Sequence, residues 1–376
     1  VKVTLVPAVS LRNLGPGAVA WYRRLSGEFP PYGNAQHPFL VWNLYRLADG
    51  RIEQIGRSGL KHGFFTVNNG CDEPFNACIH PSYNNILWPG CQDVYGERTN
   101  SRARNLSERS EVDPRTVIWQ SCGSRYDADC DGIEDAVADP EDPYERQMAV
   151  AEEDLKVEGA TYLFEAWYLV RDDIDILNTM GYRQIEPIEG QALWSFPFRS
   201  QLALGPALEA WVSPAAPGPG AAYASHADDQ GQLQMAVRTR DLGDGRFRYD
   251  YAVMNLSFAP KIGEIRIPLA PEASLTAVHF LDGDSSLAND WPALRDGRQL
   301  RWAADGGPAL PWGSLFSFSL ESDRAPRPAR VEIFPAIPAG SPAIYLELLA
   351  PAPELEAYPL PGFKPAPKRP ASPRPQ

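Results

Sequence analysis

No stretch of this chain approaches the roughly 18 uninterrupted apolar residues of a membrane-crossing helix, so a helical span is excluded. Basic residues are the minority charge. Lys and Arg number 35 against 48 Asp and Glu, leaving a formal charge of −13, and a field of that sign repels nucleic acid and anionic lipid. Histidine is scarce, with five residues in all. None falls in an H-x-H, H-E-x-x-H or H-x-x-x-H spacing, which removes the local signatures of zinc hydrolases and type-two copper sites. There is no G-x-S-x-G elbow, no phosphate loop and no dinucleotide fingerprint. Nor is there a C-x-x-C pair, so a zinc ribbon has no foothold.

What the chain does have is 37 prolines and 30 glycines among 376 residues, a composition that disfavours long helices and favours short strands with many turns. The expected class is all-β, and the length suggests two antiparallel β-sandwich-like domains. Apolar runs at Val1 to Val6, Phe39 to Leu47, Ile52 to Ile55 and Phe64 to Val67 read as strands. So do Tyr162 to Val170, with Tyr162, Phe164, Ala166, Tyr168 and Val170 on one face, and Tyr182 to Ile188. A helix is expected around Tyr144 to Leu155. Residues 1–205 form the first domain, from which 68–145 departs as a long irregular excursion, stapled by disulfides into a cap over the sheet. The Pro/Gly/Ala-rich stretch 206–227 reads as a linker. Residues 228–350 carry short strands at near-regular spacing, with Leu242-Gly-Asp-Gly-Arg as a hairpin turn, an immunoglobulin-like sandwich. The last segment, 351–376, holds nine prolines and reads as an extended or disordered tail.

Cys71, Cys78, Cys91, Cys122 and Cys130 all fall in the excursion. Their spacing and setting point to disulfides, hence to an oxidising compartment, either extracellular or periplasmic. Val1 follows no leader, which we read as a mature chain whose signal peptide has been removed or left out. Cys122 and Cys130 bracket Asp127-Ala-Asp129-Cys-Asp131-Gly132-Ile-Glu-Asp135. Alternating carboxylates converge when such a loop curls, all-oxygen donors suit calcium, and Gly132 supplies the tight turn. An EF-hand needs a Glu where Ala138 stands. The segment instead resembles the calcium loops of thrombospondin type three repeats, with Asp127, Asp129, Asp131 and Asp135 as ligands to a structural calcium and Asp139 and Asp142 as further candidates.

The residues best suited to other chemistry are His62 and Cys91. A thiol becomes nucleophilic when a neighbouring cation lowers its pKa, and Lys61, His62 and Arg109 are the available cations. Asp93 and Glu165 are candidates to orient His62, and a dispersed copper site on His62 and Cys91 is a further alternative. If Cys71 pairs with Cys78 and Cys122 with Cys130, Cys91 is the odd thiol; pairing with Cys71 or Cys78 removes it from chemistry. Lys61-His62-Gly63-Phe64, Gly90-Cys91-Gln92-Asp93-Val-Tyr95, Arg109-Ser110, the strand around Glu165, Arg248-Tyr249-Asp-Tyr251 and Leu310-Pro-Trp312-Gly313 together resemble a family of secreted, mostly uncharacterised bacterial proteins over roughly residues 35 to 322. The resemblance implies export and a β-rich fold and lends no activity. Gln92 departs from the family's Ser, and Leu281 stands near a family histidine. Two readings stay open: a small active site formed by Lys61, His62, Cys91 and Asp93, or a non-enzymatic surface or matrix protein. The latter would bind a glycan or cell-surface protein through aromatic faces drawn from Trp167, Tyr168, Trp194, Trp211, Trp291, Trp302 and Trp312.

Overall fold

The computed structural model describes residues 1–21, 37–70, 86–171, 173, 175–284, 286–338 and 340–353. The fold is all-β and antiparallel. Among the described residues the only α-helices are the single turns Glu97–Asn100 and Leu208–Trp211.

The N-terminal part is built on a seven-stranded sheet in the order Ala203–Leu204, Met180–Ile185, Thr161–Leu169, Phe39–Ala48, Leu60–His62, Leu106–Ser107, with Arg51–Arg57 also paired to Phe39–Ala48. Alternation along the two central strands explains why the sheet is buried on both sides. Phe39, Val41, Tyr45, Leu163, Trp167 and Leu169 enter one core. Leu40, Trp42, Leu44, Tyr162 and Tyr168 enter another on the opposite face. Full burial of each such side chain contributes roughly 1.5–3 kcal/mol.

The C-terminal part is a sandwich of two five-stranded sheets. One runs Ala221–Asp228, Gly231–Asp241, Phe247–Asn255, Ser314–Ser322, Leu275–Leu281; the other runs Ala293–Asp296, Gln299–Ala303, Ile262–Pro268, Arg327–Pro335, Ile344–Ala350. Tyr249, Tyr251, Val253, Phe316 and Phe318 face into the sandwich. Their alternates Ala252, Met254 and Leu315 face out and join Phe39, Tyr45 and Trp167 of the N-terminal sheet. The molecule is therefore three sheets deep, and the middle sheet has apolar side chains on both faces.

Arg109 pins the parts together. Its buried guanidinium donates to the carbonyls of Ser58 (2.8 Å), Trp42 (3.0 Å) and Gly313 (2.8 Å) and to Asn43 Oδ1 (2.9 Å). Glu165 caps the same layer, accepting from Asn43 Nδ2, the Tyr45 hydroxyl and the Ala207 amide. Neither residue reaches His62 through these contacts.

Several expectations are corrected here. The stretch around Tyr144 to Leu155 is not a helix: Ala149–Ala151 pairs with Lys2–Thr4, and Glu152–Leu155 is a 3-10 turn. Phe64 to Val67 forms no strand, because side chains take its backbone: the Phe65 amide donates to the Tyr95 hydroxyl and the Val67 amide to Asp93. Within the expected linker, Leu208 and Trp211 are buried and Ala221–Asp228 is a sandwich strand. Inside the excursion, Leu106–Ser107 adds to the edge of the sheet, while Trp119 and Tyr126 pack on one face and Leu87, Cys91 and Tyr95 on the other. The tail beyond Pro353 lies outside the described residues, as do Cys71 and Cys78.

Candidate functional site

The acidic loop is set by its own short-range chemistry. Cys122 and Cys130 are disulfide-bonded. Gly123 N–H donates to Asp127 O and Asp135 N–H to Tyr126 O, closing the loop at both ends. Gly132 sits at φ +83°, a left-handed turn that glycine adopts without strain. Side chains then ladder along the backbone: Asp127 Oδ1 accepts from Gly132 N–H (3.1 Å), Asp129 Oδ1 from Asp131 N–H (3.2 Å) and Asp131 Oδ1 from Ile133 N–H (2.7 Å).

The result is that Asp127, Asp129 and Asp131 each present an oxygen within 4.8 Å of the others. Two oxygens on one calcium at about 2.4 Å can be no more than about 4.8 Å apart, so the three fit a single coordination sphere. Asp129 and Asp131 are exposed, but Asp127 is fully buried, and its Oδ2 has no hydrogen-bond partner among the described residues. A carboxylate oxygen without a partner is costly to bury unless a cation answers it. Asp135 is placed differently: its Oδ2 accepts from Ala128 N–H (2.7 Å), so it braces the loop from the side. Of the further candidates, Asp139 lies 3.8 Å from Arg104 and Asp142 accepts from Tyr144 N–H.

The second group of candidates is divided by the pleat. Lys61 and His62 are neighbours on one strand, so their side chains leave opposite faces of the sheet. The Lys61 ammonium lies 5.0 Å from the Tyr95 ring centre and donates to His62 O (2.7 Å). Burial pulls its pKa down to about 7, against the attraction of Asp93. Asp93, also buried, accepts from Val67 N–H (3.0 Å) and the Tyr168 hydroxyl (3.1 Å); burial raises it to about 6. Cys91 packs in this same core, fully buried, and is disulfide-bonded. The choice of its partner between Cys71 and Cys78 lies outside the described residues.

On the other face His62 belongs to a row that local motifs do not announce. His37 Nε2 lies 2.8 Å from His62 Nδ1, and His62 Nε2 lies 3.0 Å from Ser107 Oγ. Ser107 in turn bonds Glu111, which accepts from the Trp119 indole N–H (3.2 Å). With Glu111 ionised and His62 neutral, one set of protons satisfies every link: His37 donates to His62, His62 to Ser107, and Ser107 to Glu111. The spacing resembles that of nucleophile, base and orienter, but with these protons His62 donates to Ser107 and so is not placed as its base. Access does not match those roles either, for His37 is 1% exposed, and His62 and Ser107 are 0%. Phe39, Phe64, Trp119 and Tyr126 pack around the His62 ring at 4.8–5.1 Å between centres. The row bridges three separate segments, and only its His62 was a candidate by sequence.

His62 and Cys91 thus stand in different cores, so neither the thiol site nor the copper alternative assembles from them. Of the aromatic residues expected to offer a sugar platform, Trp167, Tyr168, Trp211, Trp291, Trp302 and Trp312 are buried in the cores. Trp194 alone is partly exposed, with the Lys156 ammonium 5.5 Å from its ring centre. No family model matches the chain, and no curated protein matches it.

Proposed function

We propose that this chain is a secreted calcium-binding β-protein that works by binding rather than by catalysis, an extracellular surface or matrix component whose acidic loop is locked by the ion. The observation that carries the reading is Asp127 Oδ2, buried and without a partner among the described residues, beside the converging oxygens of Asp129 and Asp131. Export is supported by the Cys122–Cys130 disulfide and by the bonded state of Cys91, since such bonds persist in oxidising compartments. A binding role is favoured over the small active site because the Cys91 sulfur is already consumed and the His62 row is sealed from solvent.

The test is thermal unfolding with and without the ion. A ligand that binds only the folded state stabilises it by about 2.7 kcal/mol at a hundredfold excess over Kd. Chelation lowers Tm, calcium restores it, and magnesium, which demands a tighter octahedral shell, restores much less. Asp129→Asn, at an exposed position, keeps the fold and abolishes the calcium response. An unchanged melting curve in a sample shown by metal analysis to be calcium-free would overturn the reading.

A further inference from the structure

We propose that an aromatic groove on the face of the N-terminal sheet turned away from the sandwich binds a basic, proline-rich segment in the polyproline II form, and that its occupant is the chain's own 365–374. The groove, of about 300 Å³, is lined by Trp194, Phe196 and Phe198, by Phe164 of the sheet and by residues 5–8. The three rings share a side because 193–198 runs antiparallel beside 185–188, where Ile188 and Ser195 exchange both backbone bonds and Ile185 bridges Phe198. Trp194 and Phe196 stack with centres 6.4 Å and planes 15° apart. All three rings reach solvent, Trp194 and Phe196 in part and Phe198 at 54% exposure.

The lining offers rings and few hydrogen-bonding groups: Glu97, Ser195 and the Trp194 indole are its only polar side-chain groups. A sugar would leave most of its hydroxyls unanswered there. A polyproline II segment presents apolar rings, and its prolines have no N–H to satisfy, which is why such segments dock in aromatic grooves. Glu97 is exposed, is the only charged residue of the lining and forms no ion pair among the described residues, so it favours a cationic segment. The cations beside the rings are already engaged, Lys156 with Glu152 and Glu189 and Arg183 over the Phe198 ring at 4.6 Å.

The chain carries a segment of this chemistry. Residues 354–376 lie outside the described residues, and within them Pro367, Pro370 and Pro373 recur at every third position, the period of a polyproline II helix. Lys364, Lys368, Arg369 and Arg374 are the only charged side chains of 361–376. The chain also leaves the sandwich at the right end. Ala350 pairs with Arg327, just past Ser322, which pairs with Phe247. At that end Arg240 and Arg248 bond Asp49, in the turn that follows Phe39–Ala48. The groove lies at the same end, since Ile185 pairs with Tyr162 and Tyr162 with Arg46, shortly before that turn. Two sheet spacings of about 10 Å separate the outer sandwich sheet from the N-terminal sheet, and residues 354–366 can extend to about 40 Å. An occupant within reach acts at an effective concentration on the order of millimolar, so the chain's own segment outcompetes a dilute free one.

The experiment titrates a fluorescent peptide of sequence 361–376, followed by anisotropy, with the full chain and with the full-length triple variant Pro367→Ser, Pro370→Ser, Pro373→Ser. The peptide is expected to bind the triple variant at least tenfold tighter than the parent, whose groove is already taken. Adding Phe198→Ala, at an exposed position, should then reduce affinity at least tenfold, and adding Glu97→Gln should reduce it severalfold with a weaker dependence on salt. A peptide that binds neither protein, binds both equally, or binds the Phe198→Ala protein undiminished would overturn the proposal. So would displacement of the peptide by a neutral oligosaccharide such as maltohexaose, which would make the groove a sugar site. A parent chain that dimerises in sedimentation and is dissociated by the peptide would overturn it too, by placing the segment in a second copy. The comparison of parent with triple variant alters no described residue, and it stands even if a groove variant fails to fold.

Discussion

Lys61 carries an ammonium into an aromatic core, and its linkage to pH has a definite sign. Its folded pKa is about 7 against an ordinary 10.5, so the unfolded chain binds the proton more readily between those values. The resulting stabilisation is complete above about pH 10.5 and is lost as pH falls through 7. Asp93 runs the other way: its folded pKa is about 6 against 3.8, so its stabilisation is complete below about pH 4 and is lost as pH rises through 6. Together they leave a trough of stability between about pH 6 and 7. Urea unfolding from pH 4 to 10 should show that trough, a few kcal/mol deep, and Lys61→Met should remove its alkaline wall while leaving the acid one. An unchanged alkaline limb in Lys61→Met would refute the assignment. The separation of Lys61 from His62 is itself legible in the sequence, because consecutive residues of a strand point to opposite faces of its sheet. The row of His37, His62, Ser107 and Glu111 is not legible, because its links span 25 and 45 residues and no local pattern encodes them.

At the scale of elements, strands that alternate over seven or more residues were readable with near-correct ends, as Phe39–Ala48 and Thr161–Leu169 illustrate. The failures occur where another segment competes for the backbone. Phe64 to Val67 has strand-like residues, but Tyr95 and Asp93 capture its amides. Ala149–Ala151 has helix-tolerant residues but finds Lys2–Thr4 to pair with. The acidic loop is the opposite case, since its turns, ladder and disulfide are all local and its form follows from its own residues. Closing a loop this short removes unfolded-state freedom worth about 2.5 kcal/mol in the chain-entropy model. Part of that pre-organises the carboxylates, so replacing both Cys122 and Cys130 by Ser should weaken calcium binding by about tenfold. Calorimetric titration of the double variant checks this, and an unaltered Kd would show that the carboxylates converge without the clamp.

For the whole molecule, the shared core matters more than the boundary between its parts. Ala252, Met254 and Leu315 of the sandwich pack with Phe39 and Trp167 of the N-terminal sheet, so scanning calorimetry of the calcium-loaded protein should show one cooperative transition. Two resolved transitions would contradict that coupling. Gly313 is the sensitive point: it sits at φ +65°, and a Cβ there would lie 2.6 Å from Arg109 Nη1. Gly313→Ala should destabilise by about 3 kcal/mol, by displacing a buried cation from its carbonyl, and a Tm within a degree of the parent would argue against this role. The same contact sets a schedule for biosynthesis. Arg109 and Gly313 are 204 residues apart, so at about 5–20 residues per second the ribosome needs about 10 to 40 s after making the guanidinium to make the carbonyl that receives it. Until then the Arg109 guanidinium lacks one of its acceptors, and Leu315 has still to complete the core that Trp119, Tyr126, Leu208 and Ala252 have begun to close. The contact that joins the two parts is thus among the last that a growing chain can make.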